Sequence, residues 1–100
     1  MYLILAFCKM RYKKLSIAGK VQGVGFREFL RKEASRLSGI TGYAKNLKNG
    51  NLEVIFAGDP ERVAQFEKIC RRGPLLSSVK EVSAEEVDFD EEFDTFIIKY

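Results

Sequence analysis

The spacing of apolar residues changes period several times along this chain. The order of those changes constrains the fold more than any other feature. Residues 11–18 alternate, with Leu15 and Ile17 on one side, which is the period-two pattern of a strand. Glycines at 19, 23 and 25 interrupt it. From Phe26 the period lengthens: Phe26, Phe29, Leu30, Ala34 and Leu37 recur every three or four residues, one face of a helix that Gly39 can stop. "TGYAKNL" and "LEVIFA" read as two strands, and Asn49-Gly50 between them is a strong hairpin signal. Asp59 caps a second helix, with Pro60 in its first turn and Glu61 at the positive end of its dipole. Val63, Phe66 and Ile69–Cys70 form its stripe, and Arg71-Arg72-Gly73-Pro74 ends it. "SVKEVSAEEV" is a weaker strand in which Val79 and Val82 fall out of alternation, a pattern that admits a bulge. "FDEEFD" is polar, and "TFIIKY" is a final short strand with Phe96, Ile98 and Tyr100 on one face.

The order β-α-β-β-α-β predicts an α+β, ferredoxin-like sandwich: an antiparallel sheet with two helices on one face. The other face is then partly open to water, with Tyr12 and Tyr43 as its exposed aromatics. A chain of 100 residues suits one domain, with residues 1–9 as an N-terminal extension and 10–100 as the folded unit. With 46% hydrophobic and 31% charged residues, it can build a modest core rather than stay disordered.

The first residues, "MYLILAFCK", are apolar but far shorter than the roughly 20 residues that span a bilayer. They lack the basic start and cleavage site of a signal peptide, and Met10 is an alternative start. Cys8 and Cys70 are the only cysteines and have no metal-site spacing, so reduced thiols in the cytoplasm are expected. The absence of histidine removes His-based triads and most zinc sites. Residues 1–50 carry a balance of +9 and residues 51–100 one of −6. A basic half can attract nucleic acid, an acidic membrane or a phosphorylated metabolite; two oppositely charged, solvated faces fit equally well.

"Gln22-Gly23-Val24-Gly25-Phe26-Arg27" lies between the first strand and the first helix. The first amides of a helix lack internal partners and favour an anion, helped by the helix dipole. Glycines let backbone N–H groups approach a phosphate, and an arginine adds a fork of donors that matches its oxygens. An ordinary solvated arginine on a glycine-rich turn fits the same pattern. Neither GxxxxGK[ST] nor GxGxxG is complete, which disfavours nucleotide binding. Strand alternation puts Ala44 and Asn46 on one side, where Asn46 either holds a water or merely starts the hairpin turn.

These stretches carry a resemblance. "GKVQGVGFR" and "GYAKNLKNGNLEV" are similar to the two signatures of the acylphosphatase family, in order and at ordinary spacing. "RRGP" and "FIIKY" resemble it too, so the likeness covers residues 11–100. It implies a small cytoplasmic βαββαβ monomer that hydrolyses the carboxyl–phosphate bond of acyl phosphates with no metal and no cofactor. Arg27 is implied as the phosphate-binding arginine and Asn46 as the water-positioning asparagine. Gln22, Gly23, Val24, Gly25 and Phe26 are implied as the phosphate loop, and inorganic phosphate as product and inhibitor. No nucleic acid and no membrane partner is expected. The chain departs from the pattern at Ser38, an extra residue able to alter the helix end or shift the strand of Asn46. It departs again at Asn49, where aspartate is common, and in residues 1–9.

Two alternatives stand beside this reading. One is a same-fold domain of carbamoyl-phosphate-handling maturation proteins; such domains lead much longer chains, and an end at Tyr100 weighs against it. The other is a nucleic-acid-binding module. "GVGFREF" resembles RNP1, but RNP1 belongs on a strand, and Tyr12 with Tyr43 is a thin stacking platform.

Overall fold

The structure, a computed structural model, describes residues 10–100. The extension 1–9, with Cys8 and the question of Met10 as a start, lies outside the described residues. The elements are β1 (Met10–Lys20), α1 (Phe26–Leu37), β2 (Thr41–Asn46), β3 (Leu52–Ala57), α2 (Pro60–Arg72), β4 (Ser78–Phe89) and β5 (Phe96–Lys99). The strands form one sheet in the order β4-β1-β3-β2-β5. The expected ferredoxin-like α+β sandwich is present, with one correction. The sheet is mixed, because β5 runs parallel to β2, with Lys45 opposite Lys99. The other pairings are antiparallel.

Local signals set the joints. The β2–β3 hairpin turns through residues 47–51, closed by Leu47 N–H to the Asn51 carbonyl (2.9 Å) and Gly50 N–H to the Leu47 carbonyl (3.2 Å). The bulge lies opposite Ala18 and Gly19, which pair with Glu81 and Val79 and leave Lys80 as the extra residue of β4. Asp59 caps α2 by accepting from the Arg62 N–H (3.0 Å). Arg62 Nε donates to the Leu37 carbonyl (2.8 Å), tying the start of α2 to the end of α1. The end of α1 differs from the expectation. Ser38, not Gly39, is the first residue with positive φ, at φ 57° and ψ 153°, while its N–H bonds back to the Ala34 carbonyl. β2 then pairs in register with β3, with Asn46 opposite Leu52.

The main core lies between the sheet and both helices. Leu15, Ile17, Val54 and Phe56 meet Leu30, Ala34, Phe66 and Cys70, all buried. Phe66 packs edge-on against Phe56 (4.9 Å) and Phe96 (5.2 Å), so Phe66→Ala should cost about 3–5 kcal/mol. The other sheet face is not open where an aromatic platform was expected. Tyr12 and Tyr43 are only 1% and 6% exposed, grouped with Ile55 beneath Phe89 and Phe93. The two phenylalanines of the polar stretch supply the cover, and their rings lie edge-on to Tyr12 at 5.8 and 6.1 Å. Buried rings cannot stack on bases, so the nucleic-acid alternative loses its surface. Part of the charge imbalance is also answered within the fold. Arg11 of β1 pairs with Glu86 and Asp88 of β4, and Lys13 pairs with Glu67 of α2.

Candidate active site

Between β1 and α1 the chain crosses a loop, 21–25, whose glycines set its shape. Gly23 and Gly25 have φ of 73° and 76°, and a Cβ at either would meet no atom within 4 Å. Crowding is therefore not what requires glycine. The left-handed backbone is, and it costs an L-residue roughly 1–2 kcal/mol. Gly25 is also the N-cap of α1 and has no side chain to satisfy the first amides. The residues bearing those amides line a cavity of about 230 Å³ that includes Gly23, Gly25, Phe26, Arg27, Asn46 and Tyr100. This is smaller than the roughly 300–1,000 Å³ of drug-sized sites and suits a small anion at a positive helix end.

Arg27 lies off the buried Phe26–Leu30–Ala34 stripe but is not an exposed, solvated arginine. It is half-buried, with Nη1 donating to the Lys99 carbonyl (3.1 Å). Its guanidinium carbon sits 4.8 Å from the centre of the Tyr100 ring. Among the described residues no carboxylate pairs with it. The nearby Glu28 is gripped by Arg31 through two hydrogen bonds of 2.8 and 2.6 Å, which hold its carboxyl below the usual range. That pairing offsets an anion at the cavity edge.

Asn46 closes β2 and reaches the same cavity. Among the described residues its side-chain amide makes no hydrogen bond. It is not what shapes the hairpin: the turn closes through backbone bonds, and Asn49 Oδ1 accepts from the Asn51 N–H (3.0 Å). Gln22 serves the hairpin from the loop side, its Nε2 donating to the Leu47 and Asn51 carbonyls at 2.8 and 3.0 Å. Val24 is half-buried and packs against the main core. Of the residues singled out by sequence, Gly23, Gly25, Phe26, Arg27 and Asn46 thus meet at the cavity, whereas Gln22 and Val24 do not line it.

Sequence reasoning missed Ile98, the Lys99 carbonyl and Tyr100, which reach the site from β5 and the residue that follows it. The signal was the parallel pairing of β5 with β2, which carries residues 98–100 alongside Asn46 and which no local pattern announces. A larger cavity of about 440 Å³ lies between α2 and the sheet. Its cations, Arg11 and Lys13, are already paired with carboxylates, which offset their charge toward an anion. Among the described residues no three His, Cys, Asp or Glu side chains group as metal ligands, and no helix is long and apolar enough to cross a membrane.

The acylphosphatase family profile matches residues 13–98. The chain belongs to the acylphosphatase family. An acylphosphatase of Caldivirga maquilingensis is 39% identical over 88 residues, covering 87% of this chain and 92% of that protein. The crystal structure of acylphosphatase from Bacillus subtilis superimposes with a TM-score of 0.82 at 31% identity, covering 91% of this chain and all of that one. Full-length HypF, in a phosphate- and nucleotide-bound form, also matches with a TM-score of 0.79 and 27% identity, but over only 12% of its own chain. The two signature-like stretches of the chain, 19–27 and 42–54, lie within the matched residues and both contribute residues to the cavity.

Proposed function

We propose that Arg27, Asn46 and the loop amides carry out acyl phosphate hydrolysis, the activity that membership of the acylphosphatase family assigns to this chain. The observation that carries this reading is the meeting of two groups in one cavity beside a helix start with no side-chain cap: an arginine that, among the described residues, has no carboxylate partner, and an asparagine whose side chain makes no hydrogen bond there. The phosphoryl group sits at the N-terminus of α1. Its oxygens take hydrogen bonds from Arg27 and from backbone amides of the 23–27 segment, which stabilise its charge in the transition state. Asn46 orients a water for in-line attack on phosphorus. The P–O bond to the acyl group breaks, the carboxylate leaves with the electron pair, and the water's proton passes to a phosphoryl oxygen. A carboxylate is a good leaving group, so positioning and charge stabilisation suffice. Gln22 acts indirectly in this reading, by fastening the loop to the hairpin that follows Asn46.

We infer as well that the protein works as a cytoplasmic monomer. The free, fully buried thiol of Cys70 suits a reducing compartment, and the charged residues along β4 blunt that edge against pairing with a second sheet. The decisive experiment follows benzoyl phosphate hydrolysis by the pure protein, with and without EDTA and with added inorganic phosphate. Turnover that survives EDTA and is inhibited competitively by phosphate is expected. Absent turnover, or activity abolished by EDTA and restored by one metal, overturns the reading.

A further inference from the structure

We propose that Lys99 is a positioning residue for Arg27, acting from the opposite face of the sheet. The proposal rests on the reading of the site given above. β5 is a four-residue edge strand whose one sheet neighbour is β2, so its end has little intrinsic hold. Yet that end is what Arg27 leans on: the Lys99 carbonyl accepts from Arg27 Nη1 at 3.1 Å, and the next residue, Tyr100, lays its ring 4.8 Å from the guanidinium carbon. Tyr100 is 92% exposed, so burial does not fix it.

What secures this end lies on the other side of the sheet. Strand alternation sends Phe96 and Ile98 to the helix-covered face and Ile97 and Lys99 to the far face. There the Lys99 ammonium sits 4.4 Å from the centre of the Tyr43 ring and 5.5 Å from that of Phe93, and it pairs with Glu91 at 3.0 Å. The Lys99 side chain is only about one-third exposed, at 32%. Tyr43 and Phe93 belong to the second cluster, and the Tyr12 hydroxyl holds the Glu91 carbonyl (3.4 Å). One residue thus fastens its side chain into the aromatic cluster while its carbonyl holds the arginine. Cation–π contact and a half-shielded ion pair resist fraying of the strand end, and a settled strand end keeps the guanidinium aimed at the cavity.

Lys99→Met keeps the aliphatic stem and removes the charge that both contacts need, whereas Lys99→Arg keeps them. The test measures kcat and KM for benzoyl phosphate, inhibition by inorganic phosphate, and the order of the Arg27 Nε–H group by NMR, all well below the thermal midpoint. Lys99→Met is expected to lose about 10- to 100-fold in kcat/KM, the range for a displaced rather than missing catalytic group, with a mobile Arg27 Nε–H. Lys99→Arg restores most of the loss. The loss also persists at 1 M salt, where screening over about 3 Å removes any through-space effect of the deleted charge. Should Lys99→Met fail to fold, Glu91→Gln, which removes only the ion pair, tests the same fastening by the Arg27 NMR signal. Wild-type turnover with an unchanged Arg27 signal in Lys99→Met overturns the inference, as does a loss that vanishes at high salt. A wild-type protein with no turnover refutes the reading of the site instead, and the Arg27 signal still decides whether Lys99 orders the arginine.

Discussion

Replacing Arg27 by lysine separates geometry from charge at the centre of the site. The guanidinium carries five N–H donors, of which the Lys99 carbonyl engages one, leaving a planar set to face a phosphoryl group. Lysine keeps the charge but offers a single point, so at least one of two parallel contacts to the phosphoryl oxygens is lost. A charge-assisted hydrogen bond is worth about 1.5–3 kcal/mol, and each 1.36 kcal/mol is tenfold in rate, so kcat/KM should fall about 10- to 150-fold. Arg27→Ala removes both contacts and the charge, and should lose at least ~10²-fold, as loss of one oxyanion donor does. The effect on folding is smaller and separable. The arginine contributes one hydrogen bond and one ring contact at a half-buried position, about 1 kcal/mol each at most. That shifts the thermal midpoint by about 4–8 °C per kcal/mol, which leaves both variants folded if the assay is run at 25 °C. Initial rates with benzoyl phosphate, paired with circular dichroism, read both quantities. Wild-type kcat/KM in Arg27→Lys would refute the fork geometry, and a loss in Arg27→Ala that merely tracks the folded fraction would remove Arg27 from the chemistry.

Asn46→Ala should lose at least ~10²-fold in kcat while phosphate still inhibits, with little change in thermal midpoint, because the side chain it removes makes no hydrogen bond among the described residues. Asn46→Asp should be nearly as slow and should bind phosphate more weakly through repulsion; normal turnover in Asn46→Ala would exclude the water-positioning role. Ser38→Gly should stabilise the fold by about 1 kcal/mol, since Ser38 holds a φ and ψ that suit glycine and its relief outweighs the added freedom of the unfolded chain; an unchanged or lower urea midpoint contradicts this. Burial opposes ionisation of Glu67, but hydrogen bonds from Lys13 and Arg71 outweigh it and hold the carboxyl below its usual range. A lowered folded value means this contribution is full above the unfolded carboxyl pKa of about 4.3 and is lost as pH falls through the folded one. Glu67→Gln should therefore be less stable at pH 7 and show a shallower acid loss in stability measured from pH 6 to 2; parallel curves would show that the pair does not stabilise.

Where a structural decision rested on neighbouring residues, the sequence announced it. Asp59-Pro60 starts α2 because a carboxylate can take a free amide there and proline has no amide to leave unpaired, and Asn49-Gly50 turns the hairpin because glycine accepts positive φ. The glycine loop before α1 was legible for the same reason: its glycines and the arginine of the helix's first turn are adjacent in the chain. Tyr12 and Tyr43 were misplaced because the rings that cover them, Phe89 and Phe93, lie far along the chain within a stretch whose local composition reads as loop.

The same distinction explains why the site was read only in part. Arg27 and Asn46 each sit at the end of an element whose boundary was visible, so each could be nominated alone. What makes them a site is their convergence, and that depends on contacts with no local signature. Gln22 bridges from the loop to the hairpin across two carbonyls, and β5 enters parallel to β2, bringing the Lys99 carbonyl and the Tyr100 ring to Arg27. In the proposed reading, motif residues supply the chemistry, while residues outside their expected role hold the chemical groups at working distance. Substitutions at Gln22 and Lys99 should accordingly act through the placement of groups that remain present, whereas substitutions at Arg27 and Asn46 remove the groups themselves.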